Sequence, residues 1–225
     1  MDRFFNSDNA VMRALSKIFD MGWLSLIYLV FCIPVFTIGA ATTSLYYVSA
    51  KVLRHNRSYV WREFWSSFKG NFRQSTIVWV IMLLVYLLLI WNIQVMGITD
   101  EASEYGGYFA GAYLAMMIVI ACIGCYVFPI MSRFAMKITH ILRLSLYCAF
   151  RHIIHTVVLL AIILLAGFGI YVAIYTQIIV MFLIVPGLAG FLYTFPMEHV
   201  MKKYMPKQEK KFTEDGEEIV EWYNE

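Results

Sequence analysis

Two pairs of side chains in this sequence have a spacing that could support chemistry. His152 and His155 lie three positions apart, which puts both rings on one face of a helix, as two metal ligands require. Cys122 and Cys125 form a C-x-x-C motif, a spacing found in zinc sites and redox-active thiols. Neither pair has a third ligand nearby, and the cysteines lie inside an apolar run. We therefore expect headgroup contacts for the histidines and packing for the cysteines, with no catalytic residue, metal or cofactor.

Both pairs belong to long stretches of sequence without charged residues: the cysteines lie inside one stretch, and the histidines directly precede another. Four ranges hold no Lys, Arg, Asp or Glu, namely 21–50, 75–98, 107–132 and 156–197. Hydrophobic residues make up 61% of the chain and charged residues 15%, which excludes an ordinary soluble domain. A membrane-crossing helix needs about 20 apolar residues, so the last run is long enough for two.

The predicted fold class is an all-α integral membrane bundle of about five transmembrane helices. Residues 1–200 form its membrane domain, with spans at about 21–41, 75–96, 108–131, 156–175 and 178–197. Pro34, Pro129 and Pro186 are expected to kink the first, third and fifth spans. Thr176 and Gln177 mark the turn between the last two spans. Residues 201–225 form the predicted cytoplasmic tail.

The basic residues predict the orientation of this bundle. Connector 51–74 has six Lys or Arg residues, connector 132–155 has four, and the segment after 197 has five, whereas loop 97–107 has none. Because short cytoplasmic loops are rich in Lys and Arg, we expect both connectors and the tail in the cytoplasm. Five spans then put the N-terminus outside. The alternative is a first apolar run that re-enters the membrane or crosses it twice.

The two basic connectors are predicted to form amphipathic helices on the cytoplasmic side. In connector 51–74 the aromatic residues recur at three- and four-residue intervals, next to cations. Such a face suits either a helix lying among anionic lipid headgroups or a docking helix for a partner protein. The interfacial or partner candidates are Trp61, Phe64, Trp65, Phe68, Lys69, Phe72 and Arg73. Connector 132–155 has a weaker pattern of the same kind.

The apolar runs carry only neutral polar residues, among them Thr37, Asn92, Gln94 and Gln177. Ion-coupled transporters usually keep a charged residue at membrane depth. This absence argues against proton-coupled transport, while a neutral polar pathway stays open.

Two segments resemble the YesL-type family of bacterial multi-pass membrane proteins, a domain of unknown function. They are the run from Ile33 to Tyr47, which begins I-P-V-F-T-I-G-A-A-T-T, and the run from Phe64 to Thr76, F-W-S-S-F-K-G-N-F-R-Q-S-T. The resemblance is specific over about 1–80 and implies an accessory role near sugar-uptake ABC transporter components, in a bacterial plasma membrane. It supplies no active site.

Within the first of these segments, Pro34 frees a backbone carbonyl, and small or hydroxyl-bearing residues follow it. Thr37, Gly39 and Thr42 are therefore predicted to form a tight helix crossing against the third or fourth span.

The leading functional prediction is an accessory or scaffold subunit, not an enzyme, linked to carbohydrate ABC-type uptake. The alternative is a channel or facilitator for a small neutral solute. If the protein were a membrane enzyme, His152 and His155 would be its only candidate catalytic residues. The expected partners are anionic lipid headgroups and sugar ABC transporter subunits, without nucleic acid, and the sequence leaves the oligomeric state open.

Overall fold

The chain is helical throughout the part that the computed structural model describes, residues 10–54, 59–99, 106–134 and 136–204. Within these ranges there is no β-strand. Seven α-helices follow one another: α1 Ala10–Cys32, α2 Ile38–Val48, α3 Val60–Thr99, α4 Gly106–Arg133, α5 Ile138–Arg151, α6 Ile153–Thr176 and α7 Ile179–Lys202. A 3₁₀ turn, Val35–Thr37, precedes α2, and a π-helical segment, Ser49–Arg54, continues it.

Five of these helices are long and apolar enough to cross a membrane. Their apolar stretches are Leu15–Cys32, Val60–Val95, Tyr108–Arg133, Ile153–Thr176 and Val180–Lys202. This confirms the predicted all-α class and the five membrane-length helices. The turn predicted between the last two helices is also present, because α6 ends at Thr176 and Gln177 takes the left-handed conformation with φ 54°.

The first predicted span is divided between two helices. Helix α1 ends at Cys32, and Pro34 has the extended conformation with φ −75° and ψ 115°. The Thr37 hydroxyl lies 2.6 Å from both the Phe31 and the Pro34 carbonyl oxygens, to which it can donate, and the Thr37 backbone N–H also donates to the Pro34 carbonyl at 3.0 Å. Proline therefore interrupts the helix here, and the prediction of one kinked helix over 21–41 was wrong.

Helices α1 and α2 lie side by side after this break. The Tyr28 hydroxyl is 3.5 Å from the Thr42 hydroxyl, and Leu24 and Ile27 of α1 join Ala41 and Val48 of α2 in one buried cluster. The first apolar run thus forms a helix–break–helix unit, whose short second helix is largely buried.

The two basic connectors differ in structure. Connector 51–74 is no separate helix, because α3 runs unbroken from Val60 to Thr99 and includes most of it. Connector 132–155 contains the separate helix α5, which ends where His152 leaves helical geometry with φ −117° and ψ 50°. Ile141, Ser145 and Cys148 form part of the buried face of α5.

The second half of α4 is the centre of the bundle. Residues 125–131 are all buried, and Tyr126 and Val127 have no exposed surface. The Tyr126 hydroxyl lies 3.0 Å from that of Thr156 on α6. On the other side, the Tyr193 hydroxyl of α7 donates to the Cys125 carbonyl at 2.6 Å.

Candidate functional site

A buried ion pair joins the ends of α4 and α7. Arg133 is the last residue of α4 and Glu198 lies in the last two turns of α7. The Arg133 Nη2 donates to Glu198 Oε1, and both side chains are only 2% exposed. Charges removed from water to this degree are stable only when they are paired and hydrogen-bonded. Each of these two residues therefore depends on the other.

A third helix contributes Tyr46 to the pair. The Tyr46 hydroxyl of α2 donates to Glu198 Oε1 at 2.8 Å and also lies 3.4 Å from the Met201 sulfur. Burial, and then the negative charge of Glu198, raise the pKa of Tyr46 well above its ordinary value of 10.0. Tyr46 therefore keeps its proton and remains a donor. We call Tyr46, Arg133 and Glu198 the buried triad.

A second arginine supports the same region from the π-helical segment. Arg54 Nη1 donates to the Thr194 carbonyl of α7 at 3.1 Å, and its guanidinium lies 5.1 Å from the Phe195 ring centre. A helix carbonyl has two lone pairs, so that of Thr194 can accept this side-chain bond in addition to a helical one. Arg54 thus fastens the segment after α2 to α7.

The sequence prediction missed this triad. Arg133 was counted as one of the solvated cations of connector 132–155, and Glu198 was passed over at the end of the last apolar run. Arg133 and Glu198 each directly follow one of the charge-free runs, so the runs themselves hold only neutral polar residues, and the buried ion pair at their ends was not predicted. A signal was available, since Glu198 is the only Asp or Glu between 105 and 208. A lone carboxylate at the end of an apolar helix needs a partner, but the sequence does not say which arginine supplies it.

The predicted histidine pair is extended by a third ring. His152 and His155 are 5.7 Å apart between ring centres, and His155 stacks on His199 of α7 at 5.4 Å. His152 Nε2 also lies 3.0 Å from the Tyr204 hydroxyl. Burial, followed by the positive charges of nearby basic groups, lowers the pKa of His152 from 6.5. Across the described ranges, no group of His, Cys, Asp or Glu has the arrangement of a metal site.

The predicted crossing after Pro34 is tight, and its main neighbour is α3. A Cβ atom added at Gly39 would lie 2.5 Å from Trp79 Cβ and 2.7 Å from the Ser75 carbonyl. The Thr43 hydroxyl lies 3.0 Å from that of Ser75 at the same contact. The second predicted span is therefore the main partner, and the third contributes Phe128, whose ring would be 3.1 Å from the added atom.

The other predicted packing residues occupy separate places. Thr42 donates to the Ile38 carbonyl at 2.8 Å within α2. Pro129 lies inside α4, where the Ser132 hydroxyl donates to its carbonyl at 2.7 Å. Pro186 is buried in α7, and the next amide, Gly187 N–H, donates to the Ser25 hydroxyl of α1 at 2.7 Å.

The aromatic stripe of connector 51–74 is divided between two environments. Phe64 and Phe68 are buried and pack on Phe31 of α1, with ring centres 5.4 and 4.8 Å from it. Trp61 and Trp65 are exposed and stack on each other at 6.1 Å. Three further members of the predicted set are exposed as well: Lys69, Phe72 and Arg73. Lys69 Nζ lies 5.9 Å from the Trp65 ring centre.

Two concavities of the described bundle differ in size. One, between α4, α5 and α7, is lined by apolar residues such as Phe134 and Met197 and has a volume of about 10 Å³. That is at the lower limit for a single water molecule, and an apolar lining gives water no partner. The other, about 680 Å³, is open to the outside along α5.

Hydrogen bonds within the protein join the helices at three places: the buried triad, the crossing at Gly39 and the α1–α7 contact. Together with five membrane-length apolar helices, this arrangement defines a helical protein of the multi-pass membrane class. Residues 21–93 match the model of a family described as a protein of unknown function, DUF624. The YesL-type resemblance is thereby confirmed, and the matched residues include α2 and most of α3.

A curated relative supports the same assignment. Over 146 residues the chain is 23% identical to the uncharacterized protein YesL of Bacillus subtilis (strain 168), a match that covers 63% of this chain and 68% of YesL. No solved structure matches the chain.

Proposed function

We propose that this chain is a non-enzymatic accessory or scaffold subunit of a membrane complex. The observation that carries the proposal is the exposed aromatic–basic face of α3, formed by Trp61, Trp65, Lys69, Phe72 and Arg73. Tryptophan and arginine are enriched where proteins contact each other, and the two stacked indoles form a rigid apolar anchor.

The length of α3 supports a contact surface beyond the lipid core. At about 1.5 Å per residue, the 40 residues of α3 extend about 60 Å, twice the thickness of a bilayer core of about 30 Å. The apolar half after Ser75 suffices to cross, so the Trp61 half lies at or beyond the headgroups. Its basic residues fit the cytoplasmic side of a bacterial plasma membrane.

The proposed partners are subunits of a carbohydrate ABC-type uptake system. This part of the proposal depends on the YesL-type resemblance alone. The closed interior between α4, α5 and α7 gives the alternative, a facilitator for a small neutral solute, less support than a scaffold.

Site-specific crosslinking tests the proposal in intact cells. A photo-crosslinking amino acid at Trp61 should yield adducts with a permease or nucleotide-binding subunit, identified by mass spectrometry. The matched control is the same residue at Leu164, which is 71% exposed on the apolar helix α6 and should face lipid. Equal adducts at both positions, or none with transporter subunits at Trp61, would remove the proposed partner.

A flux assay tests the alternative directly. The purified chain in liposomes should not admit radiolabelled neutral sugars faster than protein-free liposomes do. Saturable entry that the chain alone supports would replace the scaffold proposal with a facilitator.

A further inference from the structure

The outward side of α5 carries both large apolar residues and arginines. Its opposite side packs into the bundle through Ile141, Cys148 and Ala149, so the exposed side is fixed in position. On that side Tyr147 is 51% and Phe150 60% exposed. Large apolar side chains grouped in this way indicate contact with lipid or a partner.

Two arginines flank these apolar residues. Arg143 and Arg151 are both exposed and lie eight positions apart, which is about 12 Å along the helix. With Leu146, Tyr147 and Phe150 they line the open concavity of about 680 Å³. We call this concavity the α5 groove.

The α5 groove is contacted by Tyr204, which follows the end of α7, and Tyr204 in turn contacts His152, which lies between α5 and α6. The Tyr147 ring meets the Tyr204 ring edge-on at 6.0 Å, and the Tyr204 hydroxyl is 3.0 Å from His152 Nε2. The groove is therefore a fixed feature of the folded bundle and not one arrangement of loose side chains.

Among the residues that the structure describes, no ion pair joins an acidic side chain to Arg143 or Arg151. The sequence has no Asp or Glu from 105 to 197, and Glu198 is buried against Arg133. Lys203 adds a further positive charge near His152. The ligand that complements this groove is accordingly an anion with an apolar part.

We propose that the α5 groove binds an anionic phospholipid, with its phosphodiester between Arg143 and Arg151 and its acyl chains along Leu146 and Phe150. The position suits this ligand, because the groove ends at Arg151, two residues before α6 begins its apolar run at Ile153. Phosphodiester groups lie at that boundary in a bilayer, and guanidinium groups bind them through paired hydrogen bonds. The proposal does not depend on any transporter partner.

Native mass spectrometry of the delipidated full chain in detergent tests this site. Phosphatidylglycerol should bind more tightly than phosphatidylcholine of the same chain length. The double variant Arg143→Gln/Arg151→Gln should weaken phosphatidylglycerol binding about thirty-fold, since each basic residue near anionic lipid contributes about fivefold. The matched control, Lys17→Gln/Arg62→Gln, removes two positive charges from α1 and α3 and should retain the preference.

Two further measurements separate a groove from general charge attraction. Phe150→Ala should weaken phosphatidylglycerol binding several-fold without changing the net charge. Glycerol phosphate at millimolar concentration should not displace the lipid, because it lacks the acyl chains. Displacement by glycerol phosphate would mean a soluble phosphate ligand, and equal losses in the Lys17/Arg62 control would mean non-specific attraction. Either result overturns the proposal, as does an unchanged Phe150 variant.

The arginine variants should fold, because both side chains are exposed. Helical circular dichroism and the unfolding temperature check this. Arg143→Lys/Arg151→Lys keeps the charge but not the paired hydrogen bonds, so it should recover part of the preference for phosphatidylglycerol. Failure of this rescue, with the fold intact, would show that charge at these positions does not select the lipid.

Discussion

Neutralising Glu198 tests whether the buried triad stabilises the bundle as a unit. Glu198→Gln preserves the side-chain shape and an oxygen that can accept from Tyr46, but it leaves the Arg133 charge unpaired in a site that is 2% exposed. Breaking a buried ion pair from one side costs about 3–5 kcal/mol, a factor of at least about 100 in the folding equilibrium. We therefore expect a marked fall in the unfolding temperature in detergent and in abundance in the membrane.

The chain contains its own control for this experiment. Lys51 and Glu63 form a second ion pair at 2.8 Å, with side chains 20% and 12% exposed. Glu63→Gln should cost about 1 kcal/mol or less, because water partly solvates the remaining lysine. Both variants lose one negative charge, so the difference between them measures burial.

A double variant completes the test of the ion pair. Arg133→Met/Glu198→Leu removes both charges and should recover most of the stability that Glu198→Gln loses, since apolar pairs often replace buried ion pairs without cost. Thermal unfolding of the wild type, Arg133→Met, Glu198→Leu and the double variant gives the coupling between the two sites. If Glu198→Gln is no worse than Glu63→Gln, or if the double variant is as unstable as the single, the account of the triad given above is incorrect.

Three other predictions concern close contacts and one titrating ring. Gly187→Ala should destabilise the bundle by about 1–3 kcal/mol, because the new Cβ would collide with the Met21 carbonyl. Gly167→Ala is the control and should be neutral or stabilising, because its Cβ would have nothing within 4 Å. The unfolding temperatures of the two variants test this difference. Gly39→Leu should reduce folding and membrane abundance, and normal abundance on a membrane blot would contradict a packing role for this glycine. Because the pKa of His152 lies below 6.5, the folded chain binds this proton less readily than the unfolded chain, so stability should fall as the pH drops below about 6.5. His152→Gln should flatten that fall in unfolding scans between about pH 5 and 8, and an unchanged slope would place the titrating group elsewhere.

The fold was largely predictable because lipid imposes a simple requirement on composition. A run of apolar residues long enough to cross a membrane is visible in the sequence. So is the turn at Gln177, which separates the last two apolar helices. The break at Pro34 was less predictable, since a proline can kink a helix or end it. Which of the two occurs depends on whether a neighbour such as Thr37 satisfies the freed carbonyls.

The candidate site was harder to predict because its members are far apart in the sequence. Arg133 and Glu198 are 65 positions apart, and Tyr46 and Glu198 are 152 apart. Periodicity assigns a residue to a helix face but does not say which other helix that face meets. For the same reason the aromatic stripe of α3 was predicted as one surface, although Phe64 and Phe68 pack inside on Phe31 while Trp61 and Trp65 lie outside.

The unbroken course of α3 has a mechanical consequence. No proline or gap separates Trp61 from Trp79, so these two residues belong to one stiff rod. Trp79 donates its indole N–H to the Val35 carbonyl and packs on Phe128, which joins the rod to the break after α1 and to α4. A displacement of the Trp61–Trp65 end of α3 would thus also displace the Trp79 contacts with the break and with α4. A flexible linker in place of the helix would not transmit such a displacement.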